Sequence, residues 1–129
     1  MSGKKIIEID VILDEFLNVD GRVQMILFHG DANSDFFKGK VLPGGVDTQR
    51  KCENDEWTLS ARYILEGVDD KGKVTRIFVQ NDGKNIDGKM VTTPFFITDN
   101  PELKWLETGR FEGGISDMPG GVKITIWEK

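Results

Sequence analysis

The chain has 129 residues and a formal charge of −5, from 22 acidic and 17 basic side chains; this is one domain, residues 1–129, with enough material for its own hydrophobic core, and too acidic for a nucleic-acid or anionic-membrane binder. Its single cysteine, Cys52, excludes an intramolecular disulfide and a cysteine zinc cage, and its single histidine, His29, excludes a His-rich metal centre. No apolar run reaches the roughly 18 residues of a membrane span, and the lysine-bearing start runs directly into a segment carrying Glu8 and Asp10, unlike a signal peptide; a cytoplasmic protein is expected.

Ile, Val and Thr together number 30, while Ala, the best helix former, occurs twice. Residues branched at Cβ suit a pleated sheet, and the 15 glycines fall between apolar runs, where turns need them. In chain order, Lys5 to Leu13 alternates as a first strand, with Ile7, Ile9, Val11 and Leu13 on one face. Asp14 to Gly21 reads as a loop closed by the Asp20-Gly21 turn. Arg22 to His29 is the second strand, with Val23, Met25, Leu27 and His29 on one face and Gln24, Ile26 and Phe28 on the other. Gly30 to Phe37 reads as a loop, Gly39 to Leu42 as a short strand stopped by Pro43, and Asp47 to Glu56 as irregular.

Trp57 to Glu66 is the clearest strand: Trp57, Leu59, Ala61, Tyr63 and Leu65 share one face, and Arg62 lies on the other. Lys73 to Gln80 returns as its hairpin partner, followed by turn signals at Asn81-Asp82-Gly83 and Asp87-Gly88. Lys89 to Thr98 is a strand that Pro94 bends or places at an edge. Leu103 to Glu107 is a strand or a helical turn, a short strand surrounds Phe111, and Val122 to Trp127 is the last strand. Eight to ten strands joined by short turns predict an all-β, antiparallel up-and-down barrel, closed so that no sheet edge is left bare; a sandwich is the alternative.

The motifs that resemble chemistry are mostly accounted for by ordinary structure. Gly67 to Lys73 approaches a phosphate-binding loop, but Val74 stands where a magnesium-binding hydroxyl belongs, and the segment joins two strands. Asp31, Asn33 and Asp35 have the spacing of a calcium loop, yet Phe36 and Leu42 occupy the positions that need Gly and Glu. His29 ends an apolar strand, so it is either a hydrogen-bonded wall residue or a general base. Cys52 stands beside Lys51 and Arg50, which could activate a thiol. Arg62 carries the sharpest question. Turned inward, its guanidinium needs a carboxylate such as Asp47 or a ligand; turned outward, it is solvated or sits at an oligomer interface.

The run Gly39 to Gln49, with Pro43-Gly44-Gly45-Val46-Asp47, then Ala61-Arg62-Tyr63, Thr93-Pro94-Phe95-Phe96, Leu103-Lys104-Trp105-Leu106 and Phe111-Glu112-Gly113, resembles a family of small, mostly bacterial proteins, domain of unknown function 3237. The resemblance runs from about Gly21 to the C-terminus and implies a calycin-like antiparallel barrel that self-associates as a dimer or higher homo-oligomer. It brings no activity, substrate or catalytic residue with it.

A barrel of about eight strands holds one small ligand. The expectation is therefore a small organic molecule, an anionic one included, in the barrel mouth, bound by Asp47, Gln49, Arg62, Tyr63 and Trp105, with no metal, cofactor, nucleic acid or membrane partner. Strict alternation sets Tyr63 opposite Arg62. The alternatives are a cofactor-independent isomerase, cyclase or lyase in the same pocket, with Asp47 as base and Arg62 steadying an oxyanion, and a filled barrel acting through its surface.

Overall fold

Alternating apolar residues organise this protein, and most strands run further than their apolar stretches. The computed structural model describes residues 3–86 and 88–129. Its strands are β1 (Lys5–Val19), β2 (Val23–Asn33), β3 (Phe37–Val41), β4 (Val46–Lys51), β5 (Trp57–Asp69), β6 (Val74–Ile86), β7 (Lys89–Thr98), β8 (Phe111–Met118) and β9 (Gly121–Glu128). All neighbours are antiparallel, and β1 pairs with both β2 and β9, which closes the barrel. β3 and β4 share one place between β2 and β5, so nine strands fill eight positions. The turn Leu42–Gly45 separates them; Leu42 N–H donates to Ile64 O at 2.8 Å, and Phe28 N–H to Gly45 O at 3.1 Å.

Several expected loops are strand. β1 continues through Val19 as a hairpin with β2, with a register shift between Leu13 and Phe16. Asp20 and Gly21, both at positive φ (58° and 70°), turn the chain within the loop Asp20–Arg22, where Arg22 N–H donates to Val19 O at 3.1 Å. Of the stretch Asp47 to Glu56, expected to be irregular, Asp47 to Lys51 belong to β4 because they find β2 on one side and β5 on the other. β6 runs straight through Asn81-Asp82-Gly83, where a turn was expected, paired without interruption to β7. Of the Asp87-Gly88 turn signal, Asp87 lies outside the described residues. Pro94 sits within β7; the β7–β8 ladder is sparse, with Thr92 opposite Gly113 as its registered pair, so a missing N–H costs little there.

The core fills the barrel from one end. Ile9, Leu65, Ile77, Val79, Phe96 and Ile126 are all buried inside, each such side chain contributing about 1.5–3 kcal/mol relative to exposure. A 3-10 turn at Pro101–Leu103 and a one-turn helix, α1 (Trp105–Thr108), cap that end, inserting Leu103 and Leu106 into the core. The sequence left this segment open between strand and helical turn; the turn wins because Asn100 Oδ1 accepts from Glu102 N–H and Pro101 starts it. No helix among the described residues is long and apolar enough to cross a membrane.

Candidate functional site

The face of β5 decides what the barrel interior can do. Leu59, Tyr63 and Leu65 are buried inside, while Arg62 and Ile64 are exposed outside. The inward guanidinium considered from the sequence is therefore not formed: Arg62 borders an outer groove with Leu42–Val46, Ile64 and Phe78. Trp105 does not border the interior hollow. It packs edge-on against Phe36, ring centroids 4.9 Å apart, at the capped end. The other three predicted residues, Asp47, Gln49 and Tyr63, do come together.

They come together because strand registers align them. Asp47 on β4 stands opposite Ile26 on β2 and Ala61 on β5, and Ala61 stands opposite Asn81 on β6. This row places the small side chain of Ala61 between a carboxylate and an amide. Tyr63 follows Ala61 on the same inner face, packed edge-on to Phe28 with ring centroids 5.3 Å apart. The result is an interior hollow of about 50 Å³, lined by Asp47, Tyr63, Asn81, Ala61 and the apolar side chains of β1, β8 and β9 such as Val11, Ile115 and Ile124. It lies on the side of the core away from α1.

The polar atoms of this hollow are incompletely partnered by the protein. Gln24 Nε2 donates to Gln49 Oε1 at 2.7 Å, and Gln49 Nε2 donates to Asp47 Oδ2 at 2.9 Å. That relay occupies one carboxylate oxygen. The other, Asp47 Oδ1, is buried without a hydrogen-bond partner among the described residues, as are Tyr63 Oη and Asn81 Oδ1. Buried polar atoms are almost always satisfied, and these three oxygens face the same hollow. Thr92 Oγ1 is likewise buried and unpartnered, and it packs against Gly113, where a Cβ would collide with it. Only glycine lets the Thr92 hydroxyl and the Asn81 amide lie side by side there.

Burial pushes the Asp47 carboxyl above the ordinary carboxylate range, with the Gln49 hydrogen bond pulling part of the way back. Burial also pushes the Tyr63 phenol upward, and the Asp47 charge adds to it. No Lys or Arg lines the hollow to offset Asp47.

Asn81, Gln24 and Thr92 escaped the sequence reading. The signal for Asn81 was present, since Ile77, Val79 and Asn81 alternate, but Asn-Asp-Gly reads as a turn. His29 is an exposed outer residue with Nδ1 2.8 Å from Asp14 Oδ1. Cys52 is a free thiol in the β4–β5 turn. Among the described residues no cluster of three or more His, Cys, Asp or Glu could hold a metal ion.

Comparison with known proteins places this barrel. A family described as "Protein of unknown function (DUF3237)" matches residues 6–129. The chain belongs to this family. A UPF0311 protein of Clostridium acetobutylicum is 27% identical, covering 99% of this chain and 94% of the relative. The crystal structure of a protein with unknown function from Clostridium acetobutylicum ATCC 824 is 27% identical and superposes with a TM-score of 0.80, covering 97% and 94% of the two chains. A conserved protein of unknown function from Rhodopseudomonas palustris gives 0.81 at 24% identity over 97% and 94%. A "beta-barrel like protein" from Acinetobacter baumannii gives 0.72 at 16% over 97% and 93%; these last two likenesses extend the DUF3237 fold alone.

Proposed function

We propose that the protein binds a small uncharged organic molecule, seating its polar head in the hollow at Asp47, Tyr63 and Asn81. One observation carries this reading: three buried side-chain oxygens without protein partners converge on a single hollow lined mainly by apolar side chains. Ligand sites are commonly apolar with a few placed polar groups. The size class follows from volume. A hollow of about 50 Å³ is far below the roughly 300 Å³ or more of a pocket for a drug-sized ligand. It takes a carbonyl, hydroxyl or amide head with a few carbons, the remainder of any larger ligand staying at the mouth. The head is uncharged. An anion would meet the Asp47 carboxylate with no cation beside it, because Arg62 faces outward.

Fragment screening by ligand-observed NMR tests the reading, with Ala61→Leu as a plug. Neutral carbonyl and hydroxyl fragments should show saturation transfer with the wild type and lose it with the plugged variant. Equal response in both proteins, or a preference for carboxylate fragments, would remove the hollow as the site.

A second reading concerns the outer surface. Ile64, Phe78 and Ile97 form one row across β5, β6 and β7, with Phe95 beside it. Ile64, Phe95 and Ile97 are exposed. Such a contiguous apolar row supports the self-association expected from the sequence.

A further inference from the structure

We infer that the hollow is catalytic as well as binding: Asp47 moves a proton on the carbon next to a carbonyl group whose oxygen is held by Tyr63. This rests on the binding reading above and names its substrate class, a small uncharged enolisable carbonyl compound.

Three observations carry it. The first is how Asp47 is held. The relay from Gln24 through Gln49 ends on Oδ2 and leaves Oδ1 facing the hollow without a partner. A carboxylate fixed through one oxygen and bare at the other is disposed to accept a proton there. The second is the absence of a neutralising cation among the lining residues. An ion pair would hold the carboxylate as a weak base; burial with no counter-charge makes it a stronger one. The third is Tyr63, whose buried hydroxyl has no acceptor in the protein. It lies on the inner face one alternation step beyond Ala61, which stands opposite Asp47. A phenol O–H at that position can donate to an oxygen on which charge develops.

The chemistry balances without a further reactant. Asp47 Oδ1 takes the proton from the α-carbon, and the C–H electron pair moves into the carbonyl to give an enolate oxygen hydrogen-bonded to Tyr63. The protonated Asp47 then returns the proton. Return to the same carbon, after the proton on Asp47 has been replaced by one from solvent, gives exchange; return two carbons along a conjugated chain gives an isomer. The lining residues offer no thiol or serine hydroxyl for a covalent route. Gln49 is a positioning residue in this scheme.

The probe is cyclopent-3-enone, a neutral ketone whose conversion to the conjugated 2-enone is followed by ultraviolet absorbance. Loss of its α-protons in D₂O and its saturation transfer are followed by NMR. The wild type should exchange and isomerise the ketone at least a hundredfold faster than buffer, with the rate rising with pH and levelling off above the ordinary carboxylate range. Asp47→Asn should fall to the buffer rate while still showing saturation transfer. Tyr63→Phe should lose about a hundredfold in rate at saturating ketone, alongside weaker saturation transfer. Gln49→Leu should move the pH midpoint upward, since its hydrogen bond holds the Asp47 carboxyl down, an effect that a purely structural role would not produce. Saturation transfer with neither exchange nor isomerisation would overturn the catalytic inference and leave the binding reading standing. Exchange that persists in Asp47→Asn would also overturn it. No saturation transfer from this ketone or from cyclopentanone and acetone would overturn both.

Discussion

Replacing Asp47 by Asn should stabilise the protein, and by an amount that depends on pH. Asp47 Oδ1 is buried without a partner, and Oδ2 accepts one hydrogen bond at 2.9 Å from Gln49. The amide keeps an oxygen for that bond and removes the buried charge. The amide's NH2 still faces the hollow, so the gain comes from the charge: an unpartnered buried charge costs more than the about 1–3 kcal/mol of a neutral buried group, and once the wild-type carboxyl is ionised the difference is on the order of 1–2 kcal/mol. With roughly 2 cal/mol/K of unfolding entropy per residue, each kcal/mol raises the Tm of a chain this long by about 4 °C. The sign with pH follows from linkage. The folded carboxyl has a raised pKa, so between its unfolded value of 3.8 and its folded value the native state binds more protons than the unfolded state. Wild-type stability therefore falls as pH rises through that window and is level above it. The amide introduced by Asp47→Asn does not titrate, so the variant's advantage should vanish below pH 3.8 and be full once the pH is above the raised folded value. Urea unfolding of both proteins at half-unit pH steps measures the difference. Parallel curves, or a variant less stable than wild type at pH 7, would refute the assignment of Asp47 as a desolvated, uncompensated carboxylate.

Thr92 is fully buried with its hydroxyl unpartnered, so Thr92→Val should be neutral or stabilise by up to about 1 kcal/mol; a larger loss in thermal unfolding would show that the hydroxyl is bonded. Asn100, fully buried, donates to Asp69 Oδ2 at 2.9 Å and Thr75 Oγ1 at 2.8 Å, so Asn100→Ala should cost roughly 2–3 kcal/mol in denaturant unfolding. The hydrogen bonds from Asn100 and from the backbone at Lys73 and Lys71 hold the Asp69 carboxyl below its ordinary value. Its contribution is complete above pH 3.8 and lost as pH falls through the folded value, and Asp69→Asn should flatten that acid limb. Ile64→Lys, on the outer apolar row, should shift any self-association measured by light scattering toward monomer without lowering the Tm; an unchanged mass distribution would place the contact elsewhere.

The barrel was legible because its strands carry their burial pattern openly. Ile7, Ile9, Val11 and Leu13, and then Leu59, Tyr63 and Leu65, alternate as inner faces in the sequence and in the structure. Alternation also set Arg62 opposite Tyr63, and the structure shows which of them is inside. What alternation cannot state is which face of a strand becomes the interior, because that is fixed by closure around all eight positions. β4 was missed because Asp47-Thr48-Gln49 has no apolar signal of its own; its place is given by β2 and β5. The same cause hid Gln24 and Asn81. Both are polar residues on inner faces, and local sequence rules assign such residues to turns or to solvent. Trp105 was misjudged for a different reason, since an aromatic side chain near a barrel serves equally well as a pocket wall or as the packing of an end cap.

The most direct test of the account is a crystal structure of the wild type soaked with cyclopentanone, refined with attention to the space above Ala61. The ketone should sit in the hollow, its oxygen within hydrogen-bond distance of Tyr63 Oη and its α-carbon beside Asp47 Oδ1. Ordered waters that satisfy Asp47, Tyr63 and Asn81 and stay in place at saturating ketone would contradict it.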